Sequence, residues 1–343
     1  MKINNIKQLF VATICVMAFA ACSSDEVQTG KNGERYPIRL SNNLMELDAD
    51  DTRATGSYEH GFLSGSVFWV WADMTDEGES NPAYRVKEFI SAWHLTVNSL
   101  NENTFDVITT HTFPVYNKLS FYAVHGNFAN TITEEKSAFP ELLNHVVRTD
   151  QKSDNDFLAS DLVYAIKPDV VPQSEVVPLE FHHLLSKVEV ALKAGNGITE
   201  EEMKDVADTK VTVTLVGTKT RVSFRPSKTV AATIGTEAGR KSMLTVVEDS
   251  EAPITLSTVT TTDFTNGICA SAIVVPQTVN GHFVCINYMG YNTYYDVKNL
   301  ELKSGYRYRF NLTVNRIGGE YVISPVSVAA WSSEPAERVA ELE

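Results

Sequence analysis

Hydrophobic and polar residues in this chain recur mainly at the spacing of strands. Val67-Phe68-Trp69-Val70-Trp71 is a near-continuous apolar run of strand length, and Leu119 to His125 is another. Val211, Val213 and Leu215 alternate with Thr212 and Thr214. Tyr306, Tyr308, Phe310, Leu312 and Val314 alternate with Arg307, Arg309, Asn311, Thr313 and Asn315, a period of two that buries one face and wets the other. Gly318-Gly319 then suits a tight turn into a strand from Tyr321 to Val328. Asn280-Gly281 predicts a hairpin between Ile268–Val275 and His282–Tyr288, with Pro276 ending the first strand. Residues 131–145 leave room for a short helix, and Asp150 to Asp156 reads as a polar loop. The clearest helix is Thr199–Ala207, where Thr199 and Glu202 form a capping box. Many short strands and few helices predict a mainly β protein with a β-sandwich in each half. The join falls near Val171 to Pro178, where Pro172 and Pro178 bracket a polar stretch.

The first residues follow a different pattern. Lys2 and Lys7 precede an apolar run from Leu9 to Phe19, too short to span a membrane, and Phe19-Ala20-Ala21-Cys22 matches a bacterial lipobox. This predicts a signal peptide over 1–21, cut between Ala21 and Cys22, with a diacylglyceryl group on the Cys22 thiol. Two or three acyl chains anchor a protein durably to a membrane, so the expected location is the outer membrane, as a surface lipoprotein. Residues 23–35 are polar and read as a tether. Tyr36 to Leu40 reads as a strand, followed by an acidic stretch rich in turn-forming residues. The divisions are then 1–21 signal, 22–53 tether and strand, 54–175 N-terminal sandwich and 176–343 C-terminal sandwich.

Charge narrows the partners. Removing residues 1–21 takes away Lys2 and Lys7 and no acids, moving the formal net charge from −14 to −16. Such a body repels nucleic acid and anionic lipid. Cys269 and Cys285 are the cysteines of the body, and an extracytoplasmic location permits a disulfide between them; two buried thiols are the alternative.

Catalytic signatures are missing from the sequence, which has no HExxH and no CxxC. Gly235 to Ser242 approaches a phosphate-binding loop, but Arg240 stands where glycine is needed, so it reads as a basic surface loop. Asp48, Asp50, Thr52 and Glu59 fall on calcium-loop offsets with Arg53 in the glycine position. Asp150, Asp154 and Asp156 lack full ligand spacing. His182 and His183 are adjacent on a predicted strand and point to opposite faces, which favours packing over chelation. Trp69 and Trp71 share a strand face and read as core; with Trp93 and Trp331 they are also the aromatic candidates for a sugar site. No cofactor is called for.

Several strings in order resemble the fimbrillin-like proteins of Bacteroidales, subunits of type V pili. They are the lipobox with SSDE; Thr52-Arg53-Ala54-Thr55 before a Trp-rich strand; Ser160 to Ala165; Phe181 to Val188; Ala272 to Thr278; and Leu302 to Tyr308 leading to Val328-Ala329-Ala330-Trp331. The resemblance implies two tandem transthyretin-like β-sandwich domains with Greek-key antiparallel sheets. It implies export as a lipoprotein, cleavage at Arg53/Ala54 with loss of the Tyr36–Leu47 strand, and filling of the vacated groove by a strand of the next subunit. Neighbouring pilin subunits are the implied partners, with a host or bacterial surface receptor beyond them. Val322 to Ala330 serves in this reading either as a donor strand or to close the C-terminal half. A surface glycan-binding outer-membrane lipoprotein is the alternative function.

Overall fold

The computed structural model describes residues 35–45, 62–130, 132–133, 137–203, 211–259 and 268–331. Its strands, numbered along the chain, form four sheets. The largest has seven strands in the order β1 (Leu40–Leu44), β8 (Val177–His183), β7 (Val163–Val170), β5 (Lys118–His125), β2 (Val67–Thr75), β3 (Val86–Val97) and β4 (Phe105–Val107). A three-stranded sheet joins β12 (Leu244–Val246), β11 (Arg221–Phe224) and β6 (Leu143–Val146). A four-stranded sheet orders β13 (Ile254–Thr255), β10 (Val211–Leu215), β16 (Gln277–Tyr288) and β17 (Tyr291–Leu302). A five-stranded sheet orders β14 (Ser257–Val259), β15 (Ile268–Val274), β9 (Ser186–Ala194), β18 (Arg307–Ile317) and β19 (Glu320–Trp331). The mainly β expectation holds. Pairing is antiparallel except at β1–β8 and β9–β18, which are parallel.

The apolar run of β2 has a physical reason: both faces of this strand are buried. Phe68, Val70 and Ala72 enter one hydrophobic cluster with Trp93, Phe121 and Phe181. Trp71, with Trp69 half-buried beside it, enters a second cluster that continues into β9, β10 and β18. A strand buried on both faces reads as continuous rather than alternating. In β3 the alternation slips. Ile90 and Trp93 face the same cluster because Ala92, at φ 45°, inserts an extra residue between them.

Three sequence expectations need correction. Asn280-Gly281 is not a hairpin turn: it lies within β16, where Gly281 (φ 76°) marks a bulge, and β15 and β16 belong to different sheets. The hairpin is one step later, between β16 and β17, on Met289 (φ 51°) and Gly290 (φ 91°). The Asp150–Asp156 stretch is only partly loop, since Asp154–Ala159 is a helix capped by Ser153. Gly235 to Ser242 is not a surface loop. Glu237–Lys241 is helical and Arg240 is buried, donating to the carbonyls of Gly235 (2.9 Å) and Ser304 (3.0 Å). Gly305, at φ 74°, gives that guanidinium room: a Cβ there would meet Arg240 Nε at 2.5 Å. The capping box is present, with Thr199 Oγ1 accepting from Glu202 N at 3.1 Å and Glu202 Oε2 from Thr199 N at 2.9 Å.

Two strands cross the expected join. β8 lies beyond residue 175 yet pairs with β1 and β7, and β6 lies before it yet pairs with β11.

Candidate functional site: the seat of the first strand

The segment 35–45 alternates as an edge-filling strand should. Ile38, Leu40 and Asn42 are buried, while Arg39 and Asn43 are exposed. Its setting is unusual because it is held along both flanks. On one side it runs parallel to β8, from Leu40 opposite Val177 to Leu44 opposite Phe181. Val177 N donates to Arg39 O at 2.8 Å, and Met45 N to Phe181 O at 2.9 Å. On the other side it runs antiparallel to the stretch that holds β4. Ile38 N donates to His111 O at 2.8 Å, Phe113 N to Tyr36 O at 2.8 Å, and Asn42 N to Asn103 O at 3.1 Å. Pro37, which has no N–H, bridges Thr112, and Ser41 bridges Thr104. The seven-stranded sheet therefore curls until its two edges meet, β1 lying against the chain on either side of β4.

The interior of that curl is aromatic. Phe62, Phe68 and Phe181 meet edge to face with centroids 4.7, 4.9 and 5.4 Å apart, and Phe105 lies 5.2 Å from Phe68. Ile38 and Leu40 belong to the same cluster. Each such side chain contributes roughly 1.5–3 kcal/mol on full burial, so β1 completes the core as well as the sheet.

Cys22 with Ala21, and Arg53 with Ala54, lie outside the described residues, as do Asp48, Asp50, Thr52 and Glu59. Cys269 and Cys285 are described as free thiols, on β15 and β16, which belong to different sheets. Burial pushes both thiols up.

The remaining candidates are occupied structurally. Asp154 and Asp156 sit in the first turn of the Asp154–Ala159 helix, with Ser153 Oγ donating to Asp156 Oδ2 at 2.6 Å. His183 Nδ1 pairs with the buried Asp161 at 2.6 Å, while burial and the nearby Arg240 guanidinium push His182 down to about 4. Trp71 and Trp93 are buried and donate their indole N–H to Ser137 O and Thr109 O, both at 2.9 Å. Trp69 tilts against His94, and the Trp331 side chain lies outside the description. Among the described residues, no three His, Cys, Asp or Glu side chains assemble as metal ligands, and no helix is long and apolar enough to cross a membrane.

Sequence reasoning placed a strand here, where β1 runs over Leu40–Leu44, but missed its parallel partner and the polar Asn42 within it. The parallel partner is more than 130 residues away in the chain, and pairing over such a distance leaves no local signal; Asn42 was readable as a break in apolar alternation.

A model of fimbrillin-like proteins matches residues 52–331. Comparison with curated proteins gives no match. Among solved structures, a candidate cell adhesion protein from Bacteroides uniformis is 17% identical with a TM-score of 0.55, over 88% of this chain and 100% of its own. Another from Bacteroides ovatus is 14% identical with a TM-score of 0.56, over 88% and 100%. At such identities these two share the fold. The family match takes in every strand from β2 to β19, and the chain belongs to the fimbrillin-like family.

Proposed function

We propose that this chain is a structural and adhesive pilus subunit, exported as a lipoprotein and assembled by replacement of its first strand. The observation that carries the reading is the place of β1. It is gripped on both flanks and buried in the aromatic core, and residues 46–61, which include Arg53, lead from it to the rest of the chain. The family match begins at residue 52 and leaves β1 outside the shared part.

In this reading the lipid on Cys22 carries the precursor to the outer membrane. Hydrolysis of the Arg53–Ala54 peptide bond by an arginine-specific protease then separates 22–53, with the lipid, from a body that starts at Ala54. Once β1 leaves, the N–H groups of Phe113 and Val177 and the carbonyls of Asn103, His111 and Phe181 lose their partners at the rim of an apolar groove. An extended strand from a neighbouring subunit satisfies those groups with its main chain and fills the groove with alternate side chains. The role is structural and needs no cofactor. A host or bacterial surface receptor is the further partner of an adhesive filament.

N-terminal sequencing of sheared surface material tests the reading. Ala54 at the N-terminus of SDS-resistant ladders is the expected result, and the Arg53→Ala variant stays full-length at the membrane. Normal polymer yield from that variant rules out Arg53 as the processing site. Cells that carry only lipidated full-length chain and no filaments overturn the subunit reading.

A second reading, a surface glycan-binding lipoprotein, is favoured by exposed tyrosines beside the β16–β17 hairpin. Tyr291 is 60% exposed, with its ring 5.5 Å from that of Tyr321. That function keeps the lipid on the protein, so the same sequencing separates the two.

A further inference from the structure

Asn42 is out of place in β1. It lies on the inward side with Leu40 and Leu44, opposite the fully buried Leu179 of β8, and is 3% exposed. Its Nδ2 donates to Glu102 O at 2.9 Å, but Oδ1 has no hydrogen-bond partner among the described residues. A buried acceptor without a partner forfeits its hydration and gains nothing in return. A leucine or valine at this position would escape that penalty. β1 is thus well made everywhere except at one inward position.

We infer that Asn42 keeps β1 exchangeable in its seat, and that the strand replacing it carries an apolar side chain at the Asn42 position. The inference rests on the strand-replacement reading above. The two strands compete for the same main-chain partners, so those bonds cancel in the exchange. What decides the direction is the set of inward side chains, and among these Asn42 is the one that the core does not satisfy. The residue also fixes register: its main-chain N–H and its side-chain amide engage Asn103 O and Glu102 O together, so the resident strand is aligned without being bound as tightly as an apolar strand would be.

The test uses the full-length lipoprotein in detergent, cut at Arg53 by an arginine-specific protease. Release of the 22–53 segment is followed by mass spectrometry and polymer formation by SDS-resistant ladders. Asn42→Leu and Asn42→Val should each slow release about tenfold, with a matching fall in ladder formation. The uncut variants should melt about 2 °C above the parent; two side chains of different shape guard against a poor fit of either. Release from both variants as fast as from the parent, or lowered melting of both, overturns the role of Asn42 while parent ladders leave strand replacement standing. A cut parent that forms no ladders overturns both.

Discussion

His145 shows how one enclosed side chain sets a response to acid. It is fully buried on β6, with Nδ1 accepting from Asn127 N at 3.1 Å and Nε2 donating to Ser160 O at 2.9 Å. That arrangement fixes the neutral tautomer, and burial pushes its pKa down to about 4. An unfolded chain takes up this proton near 6.5, so between pH 6.5 and 4 the unfolded state binds more protons and stability falls as pH falls. The loss approaches about 3 kcal/mol at the acid end of the window. Thermal unfolding across that range should show the decline, and His145→Asn should flatten it. His182, also pushed down to about 4, titrates in the same window and leaves a residual slope. His145 drew no attention in the sequence because nothing near it marks it as buried; its neighbours Asn144 and Val146 are ordinary strand residues.

At the scale of elements, β1 is the strand whose fit can be measured directly. Leu40 is 7% exposed and faces the aromatic core, while Asn43 is exposed. Leu40→Ala should loosen the seat by about 2–3 kcal/mol. Amide exchange of Leu40–Leu44 should then quicken by about thirtyfold or more, with the partners in β8 following. Asn43→Ala should leave exchange unchanged, and equal acceleration by both would mean that the strand is not held by its inward face. Strands such as β2, β10 and β18 were legible because burial acts residue by residue: Phe310 and Leu312 are buried and Asn311 is half-buried, as their alternation predicts, although Arg307 and Asn315, expected on the wet face, are buried as well. Where the sequence misled, a local signal was outvoted. Asn280-Gly281 is a good turn pair, yet Val279 is buried and pairs with Leu300, so the strand runs on through a bulge. Met289-Gly290, a poorer pair by composition, makes the turn because the partners on either side close there, Tyr288 opposite Tyr291.

At the scale of the molecule, the second hydrophobic cluster runs from Trp71 and Tyr164 to Phe283 and Phe310, so residues from both halves of the chain share it. One ion pair reinforces that union. Lys228 Nζ lies 2.6 and 2.8 Å from the carboxylate oxygens of Asp73, and 4.7 and 5.1 Å above the rings of Phe139 and Tyr122. Asp73 is 4% exposed, so Lys228→Met would leave a buried carboxylate without its cation, with the Tyr122 side chain still beside it. The variant should lose about 2 kcal/mol in chemical denaturation, and the double variant with Asp73→Asn should recover part of it; additive losses would show that the pair is not coupled. This contact joins residues 155 positions apart, and like the crossing of β6 and β8 it was beyond a reading by local pattern.

The grip on β1 also has a mechanical meaning. Its main-chain bonds lie on both flanks and across its length, from Tyr36 to Met45. A strand seated this way and pulled along its own axis is loaded in shear: the bonds share the tension and fail together instead of opening one after another. If a neighbour's strand takes the same seat, each joint of the filament is strongest along the filament and weakest to sideways peeling. Attachment under flow would then be governed by how the joint is pulled as much as by how tightly it binds.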